Sequence, residues 1–449
     1  MKDDSPAPCV ADRDRIARRT ASTCGPPGQR RESMATNAAF VIVGASLAGA
    51  KAAQTLREEN FDGPVVLLGE ESEHPYERPP LSKGYLLGKD ERDTVYVHPA
   101  QWYPEHDVDL RLGATVTAID PAGHEVTLAD GSRIGYEKLL LTTGSSPRRL
   151  TVPGADLEAV HYLRRLADSD RIKESFASAT RIVVIGAGWI GLETAAAARA
   201  AGVEVTVLEM AELPLLRVLG REVSQIFADL HTEHGVDLRF GVQVAEITGA
   251  DGRANGVMLA DGSRIDADAV IVGVGITPNT QLADAAGLEV DNGIRVDAHL
   301  RTSHPDIYAA GDVANAFHPL LGKHIRVEHW ANAVNQPHVA AKAMLGQDVA
   351  YDRVPYFFTD QYDLGMEYTG YVEPGGYDQV VFRGRTDTRE FIAFWLAEGR
   401  VLAGMNVNVW DVTDPIRDLV TSRRPVDAKR LADSDVPLAH LLGRPDTTA

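Results

Sequence analysis

Two glycine-rich fingerprints lie in this chain, and each separates a short apolar run from a segment rich in alanine, leucine and glutamate. The first reads Val41-Ile-Val-Gly44-Ala-Ser46-Leu-Ala-Gly49, and the second reads Ile182-Val-Val-Ile-Gly186-Ala-Gly188-Trp-Ile-Gly191. Each pattern predicts a buried parallel strand, a tight turn and a helix. Glycines in such a turn let the backbone approach a pyrophosphate, which then rests on the free N–H groups of the helix N-terminus.

An acidic residue follows each fingerprint at the distance that dinucleotide binding requires, about 20 residues on. Glu70 follows the strand-like run Val65–Leu68, and Glu209 follows Val205–Leu208. A carboxylate in this position can hold both ribose hydroxyls of an adenosine. Ser46 replaces the usual middle glycine, and either copy alone also fits a tight turn without a ligand. The pair, with both acids, favours a chain that brings two dinucleotides together, typically FAD and NAD(P)H.

Cysteine usage excludes several redox chemistries. The chain of 449 residues, long enough for two or three domains, holds two cysteines, Cys9 and Cys24. Both lie in an N-terminal stretch, residues 1–35, that has no hydrophobic periodicity, and we expect this to be a disordered or non-native tail before a functional chain starting near Met34. Without further cysteines, a redox disulfide, a reactive thiol, cysteine-ligated zinc and a resident iron–sulfur cluster are excluded. Any redox chemistry must then occur on a flavin.

Charge and hydropathy restrict the partners. The net charge of −19 argues against non-specific binding to nucleic acid or to a membrane surface. No run of 18 apolar residues and no secretory h-region occurs, so we expect no membrane span and a cytoplasmic location. A monomer or a homodimer is expected.

The remaining pattern predicts two α/β units followed by a β-rich one. The segment Pro75–Lys83 is expected to be a proline-set loop that is neither helix nor central strand. Asp130-Gly131 and Asp261-Gly262 predict hairpin turns. Strands are predicted at Lys138–Leu141, Ala269–Val274 and Asp306–Ala310, and a helix from near Trp330. Beyond about Val354, alternating residues predict an antiparallel sheet with late helices.

Seven separated motifs together resemble the FAD-dependent ferredoxin reductases of bacterial oxygenase systems. In order they are Gly44–Gly49, Arg78–Lys83, Thr143-Gly144, Gly186–Glu193, Gly275–Asn279, Ala310–Asp312 and Val327–Asn332. The resemblance covers about residues 38–442. It implies an α/β fold with two Rossmann-like dinucleotide-binding domains, as in glutathione reductase, and a C-terminal α+β sheet domain. The implied bounds are 36–150 with 275–353 for a discontinuous FAD-binding domain, 151–274 for the NAD-binding domain and 354–445 for the C-terminal domain.

The resemblance also implies the cofactor contacts. Ala48 and its neighbours would contact the FAD pyrophosphate, Glu70 the adenosine ribose, and Asp312 the ribityl chain. The implied FAD-binding residues are Gly44, Ser46, Leu47, Ala48, Gly49, Glu70, Arg78, Pro79, Lys83, Val116, Thr143, Gly144, Arg148, Gly311, Asp312, Glu328, His329 and Trp330. The implied NAD-binding residues are Gly186, Gly188, Ile190, Gly191, Glu193, Glu209, Arg217 and Gly275. One departure is visible, because Phe358 stands where the family often has tryptophan.

Lys83 and Glu193 are the candidate catalytic residues. By resemblance Lys83 lies beside the isoalloxazine, and Glu193, one turn into the second predicted helix, can pair with it. The alternatives are a solvated surface lysine and an ordinary acid on a helix face. Trp330 could equally belong to the core. His318, His324, His329 and His338 fit no metal-binding spacing, and Arg423-Arg424 is either a solvated pair or part of a landing site for an acidic protein.

The predicted function is that of an NADH-dependent FAD flavoprotein that passes electrons to an iron–sulfur ferredoxin serving a monooxygenase or dioxygenase. NADH is expected over NADPH, because the Glu209 carboxylate would repel a 2′-phosphate; Arg217 is a weak counter-signal. The alternatives are a reductase of rubredoxin or of monodehydroascorbate, and an NADH-binding signalling flavoprotein similar to apoptosis-inducing factor.

Overall fold

The computed structural model describes residues 39–442. The expected tail at residues 1–35, with Cys9 and Cys24, and the last three residues of the expected C-terminal domain lie outside this range. None of the helices between residues 39 and 442 combines the length and the hydropathy that a bilayer crossing requires.

The first fingerprint joins the central strand of a mainly parallel sheet to a helix. The elements of this region are β1 (Ala39–Val43), α1 (Leu47–Glu58), β2 (Val65–Leu68), α2 (Trp102–Glu105), β3 (Val108–Arg111), β4 (Val116–Asp120), β5 (Glu125–Leu128), β6 (Arg133–Leu141) and β7 (Ser145–Pro147). The predicted strand Val65–Leu68 is confirmed, and the Asp130-Gly131 hairpin joins antiparallel β5 and β6. β6 starts at Arg133, earlier than predicted, because its first half pairs with β5 while its second half pairs with β1.

The second fingerprint has the same setting in a second sheet. The elements here are β8 (Val160–Tyr162), α3 (Leu166–Ser178), β9 (Arg181–Ile185), α4 (Trp189–Ala200), β10 (Glu204–Glu209), α5 (Leu216–Glu233), β11 (Asp237–Phe240), β12 (Val244–Ala250), β13 (Arg253–Leu259), β14 (Arg264–Asp266) and β15 (Ala269–Val272). The parallel order is β11-β10-β9-β15-β8, and the hairpin at Asp261-Gly262 joins β13 to β14. β15 ends at Val272, two residues earlier than predicted.

The chain then returns to the first sheet. The elements are β16 (Ile276–Pro278), α6 (Gln281–Ala285), β17 (Ile294–Val296), β18 (Ile307–Ala309), β19 (Ala314–His318), β20 (Lys323–Arg326) and α7 (Trp330–Met344). β18 lies parallel to β6, which gives the first sheet the order β3-β2-β1-β6-β18 along its parallel part. The predicted strand near residue 308 and the helix start at Trp330 are confirmed.

An antiparallel sheet ends the described chain, as the alternating pattern predicts. Its elements are β21 (Tyr356–Gln361), β22 (Leu364–Gly370), β23 (Gln379–Arg385), β24 (Glu390–Ala397), β25 (Arg400–Val407), α8 (Thr413–Ser422) and α9 (Ala428–Ala432), with strand order β21-β22-β25-β24-β23. One core cluster joins this sheet to the second parallel sheet, since Trp395 and Phe227 both belong to it. The Trp395 indole N–H also donates to the Leu219 carbonyl oxygen at 3.1 Å.

Candidate functional site

The turn between β1 and α1 depends on glycine at two positions. Gly44 has a φ of +118°, and a Cβ there would lie 2.2 Å from the Thr142 carbonyl oxygen. A Cβ on Gly49 would lie 2.1 Å from the Gly44 carbonyl oxygen. Ser46 is the N-cap residue of α1, but within the described residues no side chain makes a capping hydrogen bond to this helix end. No acidic residue lies in the first turn of α1. The free N–H groups of this helix end can therefore bind an anion.

The turn between β9 and α4 has the same construction. Gly186 has a φ of +99°, and a Cβ on Gly191 would lie 2.0 Å from the Gly186 carbonyl oxygen. A Cβ on Gly188, the residue before α4, would meet the Gly273 carbonyl oxygen at 4.0 Å, an ordinary van der Waals contact. No described side chain caps this helix either. Both fingerprints thus present a backbone cradle that suits a pyrophosphate.

The two acids have different surroundings. Glu209, the last residue of β10, accepts hydrogen bonds from the Ala187 N–H at 2.7 Å and the Ala211 N–H at 2.8 Å. Glu70 is exposed and forms an ion pair with Arg165. Glu209 is therefore already oriented at its turn, whereas Glu70 is tied to a surface arginine.

Lys83 and Glu193 meet where the region around the first parallel sheet touches the region around the second parallel sheet. The Lys83 ammonium lies 2.7 Å from Glu193 Oε1, with the two side chains 16% and 4% exposed. Lys83 follows a 3-10 turn, Pro79–Ser82, and Glu193 lies in the second turn of α4. The expectation that segment 75–83 holds no helix is wrong for those four residues, because Pro79 and Pro80 hold φ at helical values. The expected pairing of Lys83 with Glu193 is present.

Aromatic side chains cover the other side of Lys83. Its ammonium lies 5.5 Å from the centroid of the Phe358 ring, which packs edge-on against Trp330 at 6.0 Å. The Trp330 indole N–H donates to Glu77 Oε2 at 3.1 Å. Phe358 thus keeps an aromatic face toward the lysine where the family often has tryptophan, but it lacks an indole N–H.

An arginine that the sequence did not indicate lies beside the predicted FAD residues. Arg164 forms an ion pair with Asp312 at 3.1 Å, and a Cβ on Gly144 would lie 3.1 Å from its guanidinium. Its carbonyl oxygen accepts a hydrogen bond from Arg78. Burial, and then the neighbouring Arg78, lower the pKa of Arg164, while Asp312 opposes this shift. Arg164 lies between the two fingerprints in sequence and belongs to no motif. It comes close to the predicted FAD residues only in the folded chain.

The residues at the first turn fit FAD. A Cβ on Gly311, whose φ is +81°, would lie 3.3 Å from Ala48 Cβ, so the backbone after β18 approaches the start of α1 closely. Arg326 forms an ion pair with Glu328 and donates to the Asp312 carbonyl oxygen at 3.3 Å. Its Nε is buried and has no hydrogen-bond partner within residues 39–442. A cradle of helix N–H groups and guanidinium groups is the donor set that a dinucleotide requires.

The remaining predicted residues lie in several places. Thr143 donates to the Asn279 carbonyl oxygen at 2.8 Å, and Arg148 donates through Nε to the Ile276 carbonyl oxygen at 3.1 Å. Val116 is buried in the core of the first sheet. Gly275 follows β15 and lies against Arg148, while Ile190 and Arg217 are exposed at the starts of α4 and α5.

The four histidines considered for a metal have separate partners. His318 bonds to the Arg353 carbonyl oxygen, His338 to Thr55, and His329 stacks on Phe357, while His324 lies edge-on to Phe317. Burial lowers the pKa of His329 to about 4, so its ring is neutral near pH 7. No group of three possible metal ligands occurs in the part of the chain that the structure describes.

Comparison with known proteins gives matches over most of the chain. Residues 38–337 match the family model described as pyridine nucleotide-disulphide oxidoreductase, and residues 356–442 match the model described as reductase C-terminal. Rhodocoxin reductase of Rhodococcus erythropolis is 41% identical over 407 residues, which cover 90% of this chain and 94% of that protein. The ferredoxin–NAD(+) reductase component of the anthranilate 1,2-dioxygenase system of Burkholderia cepacia is 41% identical over 404 residues, covering 90% and 99%.

A solved structure has the same fold. The crystal structure of the covalent putidaredoxin reductase–putidaredoxin complex matches with a TM-score of 0.87 and 37% identity, covering 91% of this chain and 98% of that chain. FAD and NAD(H) are the cofactors that these proteins use. The matched segment 38–337 contains no cysteine, so the disulphide of the family description has no counterpart in it. The chain belongs to the pyridine nucleotide-disulphide oxidoreductase family and carries the reductase C-terminal domain.

Proposed function

We propose that this protein is an NADH:ferredoxin oxidoreductase, which takes a hydride from NADH onto FAD and passes electrons singly to an iron–sulfur ferredoxin of an oxygenase system. The observation that carries the proposal is the partly buried Lys83–Glu193 ion pair, which joins the first fingerprint's region to the helix that begins at the second fingerprint. A donor and an acceptor dinucleotide held on those two turns would meet beside this pair. The named relatives, which are reductases of rhodocoxin and of an anthranilate dioxygenase system, support the acceptor class.

We assign FAD to the first region and NADH to the second. The first comprises residues 36–150 and 275–353, the second residues 151–274, and residues 354–445 form the C-terminal domain. FAD accepts two electrons from NADH as a hydride and can release them one at a time. The return of β18 to the first sheet supports the discontinuous boundary of the FAD region.

The chain's residues have distinct tasks in this proposal. Lys83 supplies positive charge where electrons arrive, and Glu193 fixes it there. Asp312, with Arg164, would orient the flavin side chain, and Glu209 would hold the adenosine ribose of NADH. Fixed charges in a site that excludes water stabilise developing charge without reorganisation, which is the largest single term in many enzymes.

The balance of the reaction sets the stoichiometry with a one-electron acceptor. One NADH gives two electrons and leaves one proton, so two one-electron ferredoxins are reduced for each NAD⁺ formed. Because residues 39–442 lack cysteine, electrons cannot be stored on sulfur in this part of the chain. We also propose a cytoplasmic location, where NADH is produced and ferredoxins are re-reduced.

The test is reconstitution. The purified protein with FAD, NADH and cytochrome c should reduce the cytochrome rapidly only after a ferredoxin is added, because the flavin requires a docked carrier. A rubredoxin is tested in parallel, and a higher kcat/KM with rubredoxin would reassign the acceptor. Carrier-independent reduction of oxygen to water at a comparable rate would refute the proposed function.

A further inference from the structure

A chain of hydrogen bonds connects Glu193 on α4 to His231 on α5 along the buried face of β21. Thr359 Oγ1 lies 2.5 Å from Glu193 Oε1, and Gln361 Nε2 lies 3.3 Å from Thr359 Oγ1. Gln361 Oε1 lies 2.8 Å from His231 Nε2, and the Tyr362 hydroxyl lies 3.3 Å from His231 Nδ1. Thr359, Gln361 and His231 are each 1% exposed or less. The chain therefore runs through the protein interior from α5, through β21, to α4.

The donors in this chain all point toward Glu193. An ionised carboxylate can only accept, so the single hydroxyl hydrogen of Thr359 is donated to Glu193. The Thr359 oxygen must then accept from Gln361, which leaves the Gln361 carbonyl oxygen to accept from His231 Nε2. If the Gln361 amide were reversed, its oxygen would face the Thr359 hydroxyl, whose single hydrogen is already donated to Glu193. Burial lowers the pKa of His231 to about 4, which leaves a neutral ring with one N–H and an Nδ1 that accepts from Tyr362.

Glu193 also binds two groups from the first region. Ser82 Oγ donates to Oε2 at 2.5 Å, and Lys83 pairs with Oε1, the same oxygen that Thr359 contacts. Asp360, on the same strand as Thr359, adds negative charge near both Lys83 and Glu193, and burial raises the pKa of Asp360. Glu367, on the neighbouring strand, adds to the charge that Asp360 experiences. The carboxylate is thus held between one cation and two hydroxyl donors, with a second carboxylate nearby.

We propose that Thr359 is a positioning residue of the electron-accepting site: its hydroxyl, oriented by Gln361 and His231, holds the Glu193 carboxylate in place and thereby fixes the Lys83 ammonium. The inference rests on the proposed function, because the role of Lys83 does. Thr359 acts through Glu193 and is not itself a catalytic residue. The alternating pattern of β21 gives it this position, because Phe357, Thr359 and Gln361 lie on the buried face of the strand.

A matched control is available on the neighbouring strand. Thr369, on β22, is 1% exposed like Thr359, but its hydroxyl is buried without a hydrogen-bond partner among residues 39–442. Threonine and valine have the same shape, so valine at either position keeps the packing and removes a hydroxyl. Any effect of losing a buried hydroxyl in general appears in both variants, whereas an effect transmitted through Glu193 appears only at position 359.

The experiment measures the chemical reactivity of Lys83 in the holoenzyme by reductive methylation, with each lysine followed by peptide mass spectrometry. An ammonium held in an ion pair reacts slowly, because only the neutral amine is methylated. We expect Lys83 to react about three to ten times faster in Thr359→Val than in wild type, since the net contribution of one typical hydrogen bond corresponds to a factor of about two to ten. Thr359→Ser and Thr369→Val should react within about twofold of wild type.

The kinetic arm follows flavin reduction by NADH under anaerobic conditions. In Thr359→Val the limiting rate should fall about tenfold while the apparent affinity for NADH changes less than twofold, and Thr359→Ser should restore the rate. If Thr359→Val does not retain FAD, Gln361→Leu, which removes the donor to Thr359, decides the question through the same two measurements.

The inference is wrong if Lys83 in Thr359→Val reacts at the wild-type rate, or if Thr369→Val has the same effect as Thr359→Val. Failure of the proposed function has a different signature. In that case the wild-type flavin is not reduced by NADH, or no carrier is reduced, whatever the reactivity of Lys83.

Discussion

The two nucleotide regions share the order of four parallel strands and a glycine turn but differ in what surrounds them. In the first, α7 packs along α1, the segment after β18 lies against the start of α1, and Arg164 and Arg326 add positive charge. In the second, apolar side chains stand in solvent around the turn, with Ile190 41%, Val218 42% and Met210 73% exposed. Exposed apolar groups beside the glycine turn are typical of a binding surface that is uncovered when its ligand has dissociated. This difference supports our proposal that FAD is resident in the first region and that NADH exchanges in the second.

The acids repeat this difference. Two backbone N–H groups hold the Glu209 carboxylate in place. In our proposal Glu209 binds the ribose of NADH, and this orientation lowers the ordering cost of each encounter. In our proposal Glu70 binds the ribose of FAD, which requires its carboxylate to leave Arg165. That rearrangement is tolerable for a cofactor that binds once and stays.

The largest expected effect lies where the two regions meet. Lys83→Met should slow flavin reduction by NADH about 10²- to 10³-fold, the size seen when one fixed group that stabilises developing charge is removed, while FAD stays bound. Stopped-flow absorbance measures the rate. Lys89→Met, which removes an exposed lysine from the same segment, is the control. Reduction at the wild-type rate in Lys83→Met would remove Lys83 from the mechanism.

A fall in pH should lower the free energy of local opening of α5 in the second region. Burial lowers the pKa of His231 to about 4, against about 6.5 in an unfolded chain, so opening binds a proton and is favoured as the pH falls below 6.5. From pH 7 to pH 5 the opening free energy of α5 should fall by about 2 kcal/mol, at about 1.4 kcal/mol per pKa unit. Amide hydrogen exchange of α5 measures this. His231→Gln should flatten the dependence, and an equal slope in that variant would exclude His231 as its source.

Coenzyme choice should depend on the second acid alone. Glu209→Ala should narrow the preference for NADH over NADPH by roughly tenfold or more, because it removes both the ribose acceptor and the charge that repels a 2′-phosphate. The ratio of kcat/KM for the two coenzymes measures this. Glu70→Ala is the matched variant in the first region and should leave the ratio unchanged. If both alanine variants shifted it equally, the assignment of the regions would be wrong.

The smallest effect concerns FAD retention. Glu70→Ala should raise the FAD dissociation constant only several-fold, because the exposed carboxylate gives up its ion pair with Arg165 when it binds a ribose, and exposed pairs contribute about 0.2–1 kcal/mol. Fluorescence titration of apoprotein with FAD measures the constant. Glu209→Ala should bind FAD with the wild-type dissociation constant. Weaker FAD binding in that variant would contradict the proposed placement of FAD in the first region.

Local patterns predicted the elements well and the contacts between distant segments poorly. Both fingerprints, the strand Val65–Leu68, the two glycine hairpins and the C-terminal antiparallel sheet follow from glycine placement and hydrophobic period, which are local properties. The strand ends were less accurate, as at β6, because pairing with two partners extends a strand beyond its apolar part.

The site was predicted only where a motif marked it. Lys83 and Glu193 lie in motifs and were paired in advance, although their catalytic role stays a prediction. Arg164, Thr359 and Gln361 reach the site from segments far apart in sequence, and their side chains carry no signature that differs from a surface arginine or a strand residue. Only the folded arrangement shows that Arg164 pairs with Asp312 and that Thr359 and Gln361 are buried beside Glu193.

The central claim is that the two regions jointly pass electrons from NADH to a one-electron carrier. The most direct measurement is anaerobic stoichiometry, with NADH oxidation and ferredoxin reduction followed together by absorbance. The account predicts two ferredoxins reduced for each NADH oxidised, at a rate set by the Lys83 site. NADH consumed without matching ferredoxin reduction would contradict it.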